Sequence, residues 1–504
     1  MENINVAIEN LIAYGITKLG YKQEDKEYAR NQILDALKIY DFVTCDCDAD
    51  FVKTQVVPDE IFTPFTKYAI ENGIIEEIDS DVFATKLISF VTPLPSVVND
   101  KFQSLIEKNS KTATDYLFDL SIKNYYIQKT ATDKNIYWKT DVADGNYLEI
   151  TINLSKPEKS NADIAKLLTQ APKNKYPLCP LCKENVGFNG GTARNPRQTL
   201  RAVEAKLGGD KWHMQYSPYV YYNEHTICFA DIHANMVINE NTMEKICDYV
   251  ETFPHYFVGS NADLPIVGGS ILNHEHFQGG GHLFPMHFSD VEKTYECDGF
   301  DVKIQRINWL NSVVRVSGKN KAEVSKVCGH ILKEWRSYSD ESVGILSETT
   351  APHNTITPVG RMLDDEFSID LILRNNRTSE DHPGGIYHAH SEHHPIKSEG
   401  IGIIEAMGMF ILPARLKRQL ALVSEYLQGN IDGFDGYEIL QPHAEMLANA
   451  HGKSLSKEVA DSVVKSHVET TCREILGDTA VFKKDKKGEN AFEKFIKVLG
   501  FKEV

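Results

Sequence analysis

Apolar residues recur at helical spacing through the first quarter of the chain, then switch to alternation. Ile8, Leu11, Ile12, Ile16 and Leu19 share one helical face, and Tyr28, Ile33, Leu34 and Leu37 another. Gly20 and Gln23-Glu24-Asp25 separate the two. Phe83-Leu87-Phe90 and Phe102-Leu105 continue the pattern, which predicts a mostly helical stretch from residue 1 to about 140. From 147 to 154 the texture is that of a strand, as it is at 219–222, 226–230, 256–260 and around His274, with a helix expected over 241–252. A second set follows: strands at 302–304, 313–316 and 367–373 around a helix over 322–335. Residues 420–504 read as helical again, with the charged stretch 483–487 as a solvated loop. The pattern predicts an α+β fold with a helical N-terminal extension (1–144), a first sheet unit (145–300), a second (301–420) and a helical C-terminal region (421–504). A His-x-His near the end of each sheet unit hints at duplication, on the strength of one pair of motifs.

Composition narrows the class. The 504 residues, 42% hydrophobic and 25% charged, are those of an ordinary globular protein. A net charge of −17 argues against a general nucleic-acid binder, while leaving room for a small anionic substrate held by local Lys and Arg. No run of about 18 apolar residues suggests a membrane span, and the N-terminus lacks a signal-peptide pattern. Nine scattered cysteines suit reduced thiols, so the expected location is cytoplasmic.

The densest chemistry lies in His274-Glu275-His276-Phe277-Gln278, between Gly268-Gly269-Ser270 and Gly279-Gly280-Gly281. In an extended strand His274, His276 and Gln278 project to one face, and Glu275 and Phe277 to the other. Imidazole there can ligate a metal, shuttle a proton or attack phosphorus. Cys179-Pro180-Leu181-Cys182 has the spacing of half a zinc site, to be completed by histidines such as His225, His233 or His274; a structural turn is the competing reading. Cys45-Asp46-Cys47 reads as a loop. A second cluster runs from His388-Ala389-His390 to His393-His394. Arg194, Arg197, Arg201 and Lys211 follow the Cys pair, and Arg374, Arg377 and Lys397 flank the second cluster; such groups suit phosphate, although ordinary surface charge accounts for most of them singly. Neither a Walker A sequence nor a Rossmann glycine fingerprint is present.

His274-x-His276-x-Gln278 resembles the active strand of galactose-1-phosphate uridylyltransferases, a histidine-triad branch in which Gln replaces the third histidine. Gln215-Tyr216-Ser217-Pro218-Tyr219, the block 254–270, Leu373-Arg374-Asn375-Asn376 and the block 402–415 are similar to its class II (Gram-positive type) members. The resemblance covers about residues 145–420 and implies two histidine-triad-like mixed sheet units. It implies a nucleotidyltransferase of galactose metabolism that exchanges UMP between UDP-glucose and galactose 1-phosphate, giving glucose 1-phosphate and UDP-galactose.

Carried over by position, His276 is the implied nucleophile, Gln278 its phosphoryl-orienting partner and His274 a supporting residue. Asn261, Ser270, Gly268, Gly269, Arg374 and Lys156 are implied substrate contacts. Cys179, Cys182, His233 and His274 occupy the order of a zinc site; His388 and His390 match histidines of a second metal site whose acidic ligand has no clear equivalent. The resemblance further implies a homodimer and no organic cofactor. Glu275 stands where the class I branch has Pro, and Lys156 and Lys159 where it has arginines. Two other readings stay open: a related nucleotidylyl phosphorylase preferring adenine, and a catalytically silent metal-binding member.

Overall fold

The computed structural model describes residues 4–155, 176–190 and 196–504. They form two compact units: one holds 4–134, 176–190, 196–206 and 210–233, the other 135–155, 207–209 and 234–504. Among the described residues no helix is long and apolar enough to cross a membrane.

In the first unit the predicted stripes become helices, including Ile4–Tyr14, Lys26–Leu37, Asp59–Glu71, Ser80–Ser89, Pro95–Ile106 and Ser110–Lys123. Ile8, Leu11, Ile33, Leu37, Leu87, Phe102 and Leu117 are fully buried, so burial of one face stabilises helices of modest propensity. Local chemistry sets their ends. Asn109 caps one helix by accepting from Thr112 N at 3.0 Å, and Gly20, in the left-handed region at φ 75°, closes the first segment. Strands Asp210–Tyr216 and Thr226–Ala230 pair antiparallel, Met214 opposite Cys228. Tyr216 Oη donates to Thr114 O at 2.9 Å, tying that hairpin to the helices.

The expected strand at 219–222 is absent: these residues form turns. Ser217 Oγ accepts from Tyr219 N at 3.4 Å, and Val220 sits at φ 39°, so turn chemistry after Pro218 overrides the β-propensity of the tyrosines.

The second unit contains an antiparallel run of strands in the spatial order Lys502–Glu503, Val291–Glu296, Lys303–Ile307, Val313–Gly318, Glu366–Asn375, Asn354–Leu363, Phe257–Gly259 and His276–Gly280. Helices Glu240–Thr252 and Lys321–Ser337, both expected, begin at Asn239 and Asn320 caps. Trp335, wholly buried, donates from Nε1 to Thr355 O at 2.9 Å and fastens the second helix to the strands. A smaller sheet pairs Tyr147–Asn153 antiparallel with Ile136–Asp141 and parallel with Met409–Pro413. The strand Ile136–Asp141 corrects the helical expectation up to 140; β-branched and aromatic Ile136-Tyr137-Trp138 prefer extended backbone. The C-terminal region is helical as expected, in Arg415–Gln428, Gln441–His451, Lys457–Thr479 and Lys486–Val498. The expected loop at 483–487 ends early, since Asp485 caps the last helix by accepting from Gly488 N at 2.7 Å.

Candidate active site

His276 opens the strand His276–Gly280, whose partner Phe257–Gly259 pairs Gly259 with Gln278 and Phe257 with Gly280. Phe277 turns into the core at 1% exposure, so His276 and half-buried Gln278 share the opposite face, as alternation predicts. His274 departs from that expectation: it lies in a bend before the strand. Its carbonyl accepts from His276 Nδ1 at 2.8 Å. A ring nitrogen bonded to a carbonyl carries the proton, so Nε2 of His276 is left with the lone pair. Burial lowers the His276 pKa to about 4, with the carbonyl contact opposing, and the ring is neutral at physiological pH. The result is an oriented, uncharged imidazole.

Glu275, between the two histidines, forms an ion pair with Lys245 of the helix Glu240–Thr252 at 2.9 Å, and its amide donates to Ala234 O at 2.8 Å. The bend that presents the His274 carbonyl is thus held on both sides by a residue whose role alternation alone did not supply.

The neighbouring loop is tightly folded. Asn261 Oδ1 accepts from Ile403 N at 2.9 Å. A Cβ on Gly269 would lie 2.7 Å from Asn261 Nδ2, and one on Gly268 2.6 Å from Ala262 O, so only glycine permits this approach. Ser270 is exposed. Arg374 is 1% exposed; Nη2 donates to Ile401 O at 2.8 Å, while Nε and Nη1 have no partner among the described residues. Burial lowers its pKa to about 10. His388 accepts from Ile401 N through Nε2 at 3.0 Å, and burial with nearby Arg374 lowers its pKa to about 4. His390 donates from Nε2 to Ile386 O at 3.1 Å and turns Nδ1 toward Asp478, 3.5 Å away. Each histidine of this pair therefore has one ring nitrogen bound to backbone. Lys156, with Lys159 and Arg194, lies outside the described residues.

Several basic residues near the motifs are structural. Arg201 donates to Pro93 O, Gln198 O and Leu200 O, Arg377 to Gly344 O, and Lys397 to Glu405 and Ile411 O. A pair that local pattern missed is buried Glu149 with half-buried His282, 2.7 Å apart, with Lys139 at 3.1 Å. Burial pushes Glu149 up, but His282 and Lys139 more than offset it and its pKa is lowered. The two partners are 133 residues apart, which is why no local signal revealed them.

In the first unit, Cys179 Sγ lies 3.5 Å from Cys182 Sγ, and Cys182 Sγ 3.1 Å from His233 Nδ1. Asn185 Nδ2 donates to the carbonyls of both cysteines at 2.8 Å, which shapes the turn. These two sulfurs and the imidazole nitrogen lie within 4.8 Å of one another, a donor set that fits a tetrahedral zinc ion. Burial raises the Cys179 thiol to about 11, the direction that a bound cation reverses. His225 is buried against Tyr222, with ring centroids 4.4 Å apart. His213, Lys183 and Asp231 form an unforeseen cluster: bonds from His213 and Lys183 lower the Asp231 pKa to about 2.

Residues 20–235 match the model of the galactose-1-phosphate uridyl transferase N-terminal domain, and residues 248–456 that of its C-terminal domain. The galactose-1-phosphate uridylyltransferase of Clostridium acetobutylicum is 42% identical over 507 residues, covering 98% of this chain and all of the relative. Those of Fusobacterium nucleatum and Bacillus subtilis are 41% and 39% identical, over 98% or more of either chain. A solved yeast Ap4A phosphorylase (Apa2) is similar at 10% identity over 58% of this chain and 82% of its own, with a TM-score of 0.31, too low to establish a shared fold. Matches across both domains, with relatives aligned end to end, make this chain a member of the galactose-1-phosphate uridyl transferase family.

Proposed function

We propose that this chain exchanges UMP between UDP-glucose and galactose 1-phosphate through a covalent uridylyl-His276. The observation that carries the reading is the hydrogen bond from His276 Nδ1 to the His274 carbonyl, which leaves a neutral ring with its Nε2 lone pair available. That nitrogen attacks the α-phosphorus of UDP-glucose as the bond to the β-phosphate oxygen breaks, and glucose 1-phosphate departs. A phosphate oxygen of galactose 1-phosphate then attacks the same phosphorus, the P–N bond breaks, and UDP-galactose leaves with His276 neutral again. Gln278, on the same strand face, donates to a phosphoryl oxygen; a carboxamide has no general-base capacity to activate water, which favours transfer over hydrolysis.

Asn261, Gly268, Gly269 and Ser270 form the loop expected to meet the nucleotide, with Lys156 on the phosphates. The two unmatched donors of buried Arg374 suit an anionic oxygen. Cys179, Cys182 and His233 would hold zinc, with His274 as the fourth ligand in this reading. The ion would supply a fixed positive charge that orders its ligands. His388 and His390 are retained only as a candidate second site. The enzyme is expected to act as a homodimer.

The test is radiolabelled UMP retention. The native chain incubated with UDP-glucose should retain one label per active site and release it to galactose 1-phosphate, and His276→Ala should do neither. Label retained by the His276→Ala chain would remove His276 as nucleophile.

A further inference from the structure

We infer a further cation site in the C-terminal helices, built from His443 and His467 and suited to a borderline divalent ion of the zinc, nickel and copper class. The helices Gln441–His451 and Lys457–Thr479 share a hydrophobic seam in which Ala444 and Leu447 pack with Ala460 and Val464. His443 precedes Ala444 and His467 follows Val464 by three residues, so the seam fixes the spacing of the two backbones. The rings meet with Nε2 facing Nε2, centroids 4.1 Å apart and planes inclined by 68°.

Imidazole nitrogen is a common metal ligand, and this pair directs two of them to one point, where an ion would replace the proton between them. Two nitrogens at about 2.0–2.1 Å from a tetrahedral ion stand roughly 3.3 Å apart, which a small rotation of two half-buried rings supplies. A cavity of about 350 Å³ opens beside His467, lined also by His451, Ser466 and Thr470, with room for waters to complete the coordination. The carboxylate of Asp478 is engaged elsewhere, 3.2 Å from His393 Nε2, and does not compete for the pair. An ion held here would clip two helices joined through residues 452–456.

None of these groups belongs to the uridylyl-transfer machinery, so the site is tested independently of it. Full-length protein, loaded with one equivalent of zinc to fill the thiolate site, is titrated with nickel by calorimetry and absorption spectroscopy. The native chain should bind one further equivalent without a thiolate charge-transfer band. His443→Ala and His467→Ala should each weaken that binding tenfold or more, and the nickel-induced rise in melting temperature should vanish with it. His451→Ala, which keeps both facing nitrogens, should retain binding. Nickel bound equally by the native chain and both variants would overturn the site. So would no further equivalent at millimolar nickel together with a shared proton between the rings in nitrogen-15 spectra. Variants that melt as the native chain does without nickel exclude misfolding as the cause of lost binding, and exchange activity should be unchanged in both.

Discussion

Glu275→Ala tests how His276, the proposed nucleophile, is held. Lys245 and Glu275 lie 2.9 Å apart with side chains 8% and 19% exposed. At an effective dielectric constant of about 20, opposite charges roughly 3 Å apart attract by about 5 kcal/mol, and desolvation cancels much of that. Removing one partner leaves the other charge buried, a change worth about 3–5 kcal/mol for a fully enclosed pair and about 2–3 kcal/mol once the exposure of Glu275 is discounted. The loss should appear locally, because the Glu275 amide and carboxylate both anchor the bend whose carbonyl orients His276. Hydrogen–deuterium exchange of the peptide spanning 272–280 should accelerate by roughly 30- to 150-fold, the equivalent of about 2–3 kcal/mol. The rate of label transfer to His276 should fall more than substrate affinity. Adding Lys245→Met removes the orphaned cation and should restore most of the protection. Exchange altered by less than about threefold in Glu275→Ala, or no recovery in the double variant, would refute the anchoring role.

Three further outcomes follow from the same structure. Asp370 accepts from Arg315 at 2.6 and 3.0 Å in a buried cross-strand pair, so Asp370→Ala should destabilise the protein by about 3–5 kcal/mol, read from the urea midpoint. Burial lowers the pKa of His287 to about 3 from an ordinary 6.5, with Arg361 adding to the effect. Between those values the unfolded chain binds a proton that the native chain refuses, so stability falls as pH drops from about 6.5 toward 3; His287→Leu should flatten that slope by about 1.4 kcal/mol per pH unit in urea melts between pH 4 and 6. Elemental analysis should find zinc in the purified chain, and Cys182→Ser should lower it by one equivalent while lowering the melting temperature; equal zinc in both would exclude the sulfur as a ligand.

The helical stripes were legible because burial there follows the helical period, with Ile8, Leu11, Ile33 and Leu37 all on inward faces. Ile136–Asp141 was not, since both of its faces are partly exposed and it shows no apolar alternation. The tyrosines at 219–222 misled because propensity is a weak prior beside a serine-led turn. Within the site, His276 and Gln278 were legible from a period of two. The partners that give neighbouring residues their meaning were not: Lys245 lies 30 residues before Glu275, and Glu149 lies 133 before His282. Such pairings are made by packing, and no local window contains them.

The bend at His274 shows why alternation ran out one residue too early. The partner strand Phe257–Gly259 pairs only as far as Gln278, so nothing in that ladder compels extended backbone at 274. Outside the strand, residue 274 presents its main-chain carbonyl to His276. The tautomer of His276 is therefore set by backbone, which no side-chain substitution at 274 deletes. Had the strand run through 274 as the pattern suggested, that carbonyl would have pointed along the sheet, as strand carbonyls do, and not at the ring two residues on. The bend orients the His276 ring, and Glu275, gripped by Lys245, keeps the bend in place.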